Sequence, residues 1–322
     1  MERYDASVLG MLDLQATWQI YSVGIVAFFT ILPAIEVGLR LPEWWASRGT
    51  AQPRDLLPKN GVCNFLLSTA YTMTTAGFGG AMTLGLGFAA YSLSDWRIPL
   101  SWWTVPLYFL AGEFFHYFYH RLMHEIRFFW ADHATHHSAT EFDYSTNWRQ
   151  HLFQWIPKMV TMPFLTLLGF HPAGVMLFGA FISFQLFCHT SRFGTWGWWD
   201  TTFMSPSNHG IHHSRNPVYM DRNYGGFTVI WDRLLGTYAN YNGERMVYGI
   251  THAPNSTNFV TVLISEYVYL WRDFFAAPTW AEKIKVVLGR PGETFEAPPV
   301  PKGAAVDKSA GMMPTPIAVA AE

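Results

Sequence analysis

Nine histidines stand in four groups, each just past an apolar segment: His120 and His124 in HRLMH, His133, His136 and His137 in HATHH, the lone His189, and His209, His212 and His213 in HGIHH. At about 100° per residue, His120 and His124 project from one helix face, and each HxxHH group sets three imidazoles within a face of about 100°. Each group is therefore expected to close on a metal without distorting the backbone. Nine neutral imidazoles exceed the four ligands of a closed zinc site, so two metals is the better count. Burying that many polar rings together without a metal or a hydrogen-bond network would cost several kcal/mol. Imidazole suits iron, copper, nickel and zinc alike, so the identity of the metal has to be argued from the reaction.

The chain that must position these groups has 322 residues, 50% hydrophobic and 17% aromatic but only 14% charged. An average soluble domain carries about 25% charged residues, so the composition belongs in a bilayer. A net charge of −2 provides no basic patch and excludes nucleic acid as a partner. Cys63 and Cys188 are too few for an iron–sulfur cluster and form no CxxCH haem motif, although a disulfide between them stays open.

Apolar stretches run from about Thr17 to Leu39, Val62 to Leu93, Pro99 to Tyr119, Leu152 to Leu168 and Pro172 to Cys188. The last two are short enough to form a hairpin, and the glycine-rich second is long enough to be broken. The residues before Trp18 lack the basic start and cleavage site of a signal peptide, so the first segment is expected to stay as an anchor. Arg40, Arg48, Arg54 and Lys59 place the following loop in the cytoplasm. Counting crossings from there brings all four histidine groups to the cytoplasmic face. The expected fold is all-α: four to five apolar membrane segments capped by a cytosolic helical histidine-box domain, in a multi-pass integral membrane protein. The expected divisions are 1–60 (anchor and basic loop), 61–240 (core), 241–292 (amphipathic helical region, with a helix over Asn258 to Phe275) and 293–322 (disordered tail).

Two imidazole-bound metals beside lipid could hydrolyse, transport or oxidise. Zinc hydrolysis needs an open metal position and a carboxylate base, and not this many imidazoles. Breaking an unactivated C–H bond is beyond any side-chain acid or base, and iron with O2 is the usual answer. With no Rossmann GxGxxG, P-loop or haem motif in the sequence, the electrons must come from an external donor.

The boxes HRLMH, HATHH and HGIHH resemble those of the fatty acid hydroxylase superfamily, often labelled sterol desaturases. Residues 120–150 and 189–238 resemble its alkylglycerol monooxygenase branch. The resemblance implies two iron ions, O2 and a lipid substrate, with a pterin or a redox protein as donor. It implies His120, His124, His133, His136, His137, His209, His212 and His213 as metal ligands, with His189 matching the family's lone histidine. Glu125 follows the first box, as does a glutamate required in that branch. It is the catalytic candidate, able to orient an imidazole N–H, with a helix-surface carboxylate as the alternative. Asp132 and Asn208 are lesser candidates for supporting a ligand, and either could cap a helix. Asp221, Asn223 and Tyr224 match the branch's DxNYG stretch and are read as shaping a loop. His116 is a candidate extra ligand one turn before His120, whereas His151, His171 and His252 are not read as ligands. The leading reading is C–H hydroxylation of an acyl, ether-lipid, sterol or isoprenoid substrate. Desaturation and a metal-binding membrane protein without turnover are the alternatives.

Overall fold

Polar insertions and local breaks cut the apolar stretches into shorter helices. The computed structural model describes residues 31, 34–50, 55–57, 60–251 and 256–292. Most of the expected Thr17–Leu39 anchor, the 293–322 tail and His252 lie outside the described residues. The chain divides into two units, 1–57 and 58–322. In the first, residues 34–47 are helical, and Arg40 Nε donates to Glu36 Oε1 at 2.8 Å.

The second unit is helical, with isolated β-bridges and no extended strand among the described residues. The Val62–Leu93 stretch becomes α1 (Gly61–Thr74), a π-helical turn (Thr75–Gly79) and α2 (Gly80–Leu93). The wider turn falls where the indole of Trp155 presses on the backbone: a Cβ on Gly79 would lie 2.5 Å from that ring. The Pro99–Tyr119 stretch becomes α3 (Val105–Glu125), which is long enough to span but carries Glu113, His116, His120, Arg121, His124 and Glu125. The Leu152–Cys188 stretch folds as a hairpin of α5 (Ile156–Leu167) and α6 (Pro172–Ile182), the latter continued by a 3-10 turn (Ser183–Cys188). Among the described residues, no helix is long and apolar enough to cross a membrane.

One end of this bundle is tied by turns. Ile98 N donates to Gly169 O at 2.8 Å, Tyr108 Oη donates to Ile98 O at 2.9 Å, and His171 N donates to Tyr108 Oη at 2.6 Å. The loop before α3 and the α5–α6 turn therefore share an end, as the counted crossings require, and the histidine groups gather where α3 and the 3-10 turn finish. There the chain breaks helix at Ile126 (φ −113°, ψ 118°) and restarts as α4 (Arg127–His137). That corner is pinned by Arg127, whose guanidinium pairs with Asp273 and whose N–H donates to Gly289 O at 2.9 Å. Further on come α7 (Pro206–His212), α8 (Ile230–Leu235), α9 (Phe259–Ala276) and α10 (Trp280–Leu288). As expected for an amphipathic helix, α9 buries Val262 and Leu270 against α1 and α4 and leaves Val260, Ile264, Val268, Trp271 and Phe275 exposed.

Polarity is inverted relative to a water-soluble domain. The interior holds Glu113, Asp232, Arg149 and the histidine groups, while Val62, Met73, Leu93 and Val160 are turned outward. Exposed apolar area on this scale marks a surface meant for lipid or a partner. Cys63 and Cys188 are both buried free thiols.

Candidate metal centre

Local sequence explains how each imidazole is delivered. His120 and His124 occupy the last turns of α3, and the corner at Ile126 folds α4 back so that His133, His136 and His137 face them. His189 emerges from the 3-10 turn, its Nδ1–H donating to Gln185 O at 3.1 Å. α7 begins with Pro206 behind the Ser205 N-cap, whose hydroxyl accepts from Asn208 N at 3.1 Å. That short helix carries His209 and His212, with His213 as its C-cap.

The nine rings sort into two groups. His120, His124, His133, His137 and His212 have nitrogens within 4.8 Å of one another, as do His136, His189, His209 and His213. Both HxxHH boxes are split between the two groups. His133 and His137, four residues apart, share one ridge of α4, while His136 faces the other group; on α7, His209 and His213 pair and His212 diverges. The i and i+4 positions differ by only about 40° around a helix, whereas i+3 falls on the far side of i, about 100° from i+4.

All nine rings are buried, and backbone carbonyls fix the proton on four of them. Carbonyl oxygens can only accept, so Nδ1 carries the proton in His120 (to Tyr224 O, 2.9 Å), His136 (to Arg149 O, 3.2 Å), His189 and His212 (to Arg222 O, 3.0 Å). The Nε2 of each is left as a bare lone pair. Yet His136 Nε2 and His189 Nε2 lie 3.1 Å apart, so two lone pairs face each other. The same spacing recurs for His120 with His133 (3.1 Å), His133 with His137 (3.2 Å) and His189 with His209 (3.0 Å). Protonation is a poor remedy. Burial, reinforced by neighbouring imidazoles, holds His120, His133, His137, His189, His209, His212 and His213 well below the ordinary imidazole range, and burial takes His136 to about 4. Nε2 of His124, His212 and His213 and Nδ1 of His209 are buried without a hydrogen-bond partner. A metal–nitrogen bond of about 2.1 Å puts ligands at right angles about 3 Å apart. The residues thus fit two metal ions, each drawn toward inward-facing imidazole lone pairs.

One loop supports most of the five-histidine group. Asp221, Arg222 and Tyr224 supply, in turn, a carboxylate 3.5 Å from His124 Nδ1, the carbonyl for His212 and the carbonyl for His120. Asp221 and Asn223 adopt left-handed backbone (φ 58° and 56°), and Asn223 compensates by bonding Asn208 O, Ala239 O and Ala239 N through its side chain. Two buried carboxylates hold the loop from beneath: Asp232 accepts from Tyr224 N and Gly225 N, both at 2.8 Å, and Glu113 accepts from Phe227 N (3.0 Å) and Thr228 N (2.7 Å). Gly225 is required by this close approach, since a Cβ there would lie 2.0 Å from Thr228 O. The sequence reading missed Glu113, Asp232 and Arg149. Glu113 had a legible signal, a lone carboxylate in an apolar stretch.

The other candidates fall outside both groups. Glu125 bonds Arg121 Nε (3.0 Å) and Arg290 Nη2 (2.9 Å) and is placed at the surface side of α3. Asp132 pairs with His151 rather than with a ring of the cluster. Asn208 Nδ2 donates to Asp200 O (2.8 Å) and Phe203 O (3.0 Å). His116 packs its ring on His120 at 5.3 Å and meets Gln185 Nε2 at 3.4 Å, while His171 sits at the opposite end beside Tyr91.

Among the described residues, an all-helical fold that buries two adjacent all-histidine groups defines the class of histidine-box proteins. The fatty acid hydroxylase family model matches residues 105–237, the stretch that carries all nine histidines. The chain is similar to alkylglycerol monooxygenase of Xenopus tropicalis (35% identical over 202 residues, 61% of this chain and 43% of that one). It is similar also to that of Homo sapiens (33% over 201 residues, 61% and 43%). With the ornithine lipid hydroxylase OlsE of Rhizobium tropici it shares 31% identity over 240 residues, 71% of this chain and 69% of that one. The chain belongs to the fatty acid hydroxylase family, in its alkylglycerol monooxygenase-like branch. It spans less than half the length of the alkylglycerol monooxygenases it matches. No solved structure matches it.

Proposed function

We propose that this protein is an integral-membrane non-haem di-iron oxygenase that hydroxylates a C–H bond of a lipid, using O2 and electrons from an external pterin or redox protein. The observation that carries the reading is the pair of buried all-histidine groups whose ring nitrogens approach to about 3 Å, with the lone pairs of His136 and His189 facing each other in one of them. Membership of a family with similar members named alkylglycerol monooxygenase and ornithine lipid hydroxylase supports a lipid substrate. His120, His124, His133, His137 and His212 would hold one iron and His136, His189, His209 and His213 the other. When bound, the irons supply the O2 activation and hydrogen abstraction that no side-chain acid or base can perform.

The chain's own residues do the rest. Backbone carbonyls of Gln185, Arg149, Arg222 and Tyr224 fix four imidazoles with Nε2 inward, so the donor geometry exists before a metal arrives. The aromatic shell of Phe142, Tyr224 and Trp130 around the rings keeps water from the reacting centre. The outward apolar faces of α1, α2, α3 and α5 suit a bilayer, from which a lipid would reach the cluster laterally.

The test is to purify the full chain under iron supply, measure bound metal, then follow O2 consumption and lipid products with a chemical reductant and membrane lipid extract. Two irons per chain and a hydroxylated lipid are expected; fewer than two irons, or no oxygen consumption with any extract, would overturn the reading.

A further inference from the structure

Glu125 ends the last turn of α3 and bonds arginines rather than an imidazole, while Asp232, buried on α8, holds the loop that serves His120. The two are joined by side chains that neither group of histidines includes. We propose that Arg121, Tyr117, Thr237 and Asp232 form a one-directional hydrogen-bond line that positions His120, and through it the five-histidine group, with Glu125 anchoring the outer end. The proposal rests on the metal-binding reading of that group.

Each link follows from what its atoms can do. Glu125 Oε1 accepts from Arg121 Nε at 3.0 Å, which orients the guanidinium. Arg121 Nη1, a donor only, gives its proton to Tyr117 Oη at 3.1 Å. Tyr117 is fully buried, and its hydroxyl lies 2.9 Å from Thr237 Oγ1. Thr237 Oγ1 in turn lies 2.7 Å from Asp232 Oδ1, an oxygen that also takes the Tyr224 N–H and is set by that contact as the acceptor. With a pure donor at one end and an acceptor at the other, the two hydroxyl protons have a single arrangement, both pointing inward. Asp232 spends its remaining capacity on Tyr224 N and Gly225 N, each at 2.8 Å. Those contacts fix the peptide whose carbonyl takes the Nδ1 proton of His120 at 2.9 Å. A guanidinium and a carboxylate are thus coupled through two hydroxyls, and such chains strengthen one another in a low-dielectric interior. The four-histidine group draws its carbonyls from Gln185 and Arg149, neither of which belongs to this line.

The test uses full-length protein in nanodiscs, loaded with 57Fe, and reads both the Mössbauer doublets and the iron retained against a chelator. Tyr117→Phe and Thr237→Val should each shift the signal of one iron and lower its retention by about tenfold. The second iron should be unmoved, and Thr237→Ser should restore the wild-type pattern. Tyr219→Phe, which removes a buried tyrosine hydroxyl bonded elsewhere, to Asn242, serves as the structural control and should change neither. If wild type holds two irons and the line variants leave both signals unmoved, or move both equally as a general loosening would, the line is overturned and the site stands. A wild-type chain that holds fewer than two irons overturns the reading of the site itself. Because Thr237→Val keeps shape and Thr237→Ser keeps the hydroxyl, a folding failure of Tyr117→Phe leaves the decision to that pair.

Discussion

The two histidine groups use the same HxxHH boxes and are supported in different ways. The five-histidine group is served by one loop, with Asp221, Arg222 and Tyr224 engaging His124, His212 and His120. The four-histidine group is served by two distant backbone carbonyls, those of Arg149 and Gln185. One site thus has a spare donor and a concentrated support that can fail as a unit; the other has no spare donor and a dispersed support. Ligand number and the architecture behind the ligands are separate properties, and these groups trade one against the other.

The largest expected effect tests the spare donor. His209→Ala should empty the four-histidine group and abolish turnover, whereas His124→Ala leaves four imidazoles and should keep most of its iron. Iron per chain together with O2 consumption reads the difference, and equal losses would break the comparison. Next comes Arg149, fully buried, whose Nε bonds Thr135 O (3.0 Å) and Ser138 Oγ (2.9 Å) and whose Nη atoms bond Asn64 Oδ1 (3.1 Å) and Ser256 O (2.8 Å). Burial draws the guanidinium down to about 10, so it stays cationic at neutral pH. Arg149→Met strands several buried acceptors and should cost about 3 kcal/mol in denaturant unfolding. Iron should then be lost first from the group containing His136.

A smaller change is expected for Asp221→Asn, which removes the carboxylate beside His124 and should weaken iron retention in the five-histidine group about tenfold in chelator competition. The mildest response should be to acid. Ligand imidazoles must be neutral to bind, and burial lowers the folded pKa values of His136, His137 and His209, so proton competition there begins below the ordinary imidazole range rather than at it. Iron content should hold from pH 7.5 to about pH 5.5 and fall only as pH approaches 4; release centred near 6.5 would contradict the depressed values.

Spacing drew out the eight box histidines, because HxxxH and HxxHH are helix periodicities and the residue type is uncommon in apolar surroundings, whereas His189 stood out by its resemblance to the family's lone histidine. Spacing did not reveal how they would be shared. An ideal helix places all three imidazoles of a box on one broad face, and only the opposing elements decide whether that face meets one metal or two. Glu125 was prominent because it adjoins a box, but adjacency along a helix turns a side chain by about 100°, and the carboxylate lies with Arg121 and Arg290 instead. Glu113 acts through backbone N–H groups of a loop far along the chain, and Asp232 through those of the same loop seven and eight residues before it, relations that no helix periodicity encodes. Hydropathy located the apolar stretches well, whereas the π-helical turn at Thr75–Gly79 and the charged face of α3 altered their form as helices.

The splitting of the boxes also governs when the centre can first exist. His212 belongs to one group and His209 and His213 to the other, so both groups take donors from the last box to leave the ribosome. Neither site can close while the chain is shorter than that box, and both become complete within five residues of synthesis. A nascent chain therefore has no stage at which one site is finished long before its neighbour.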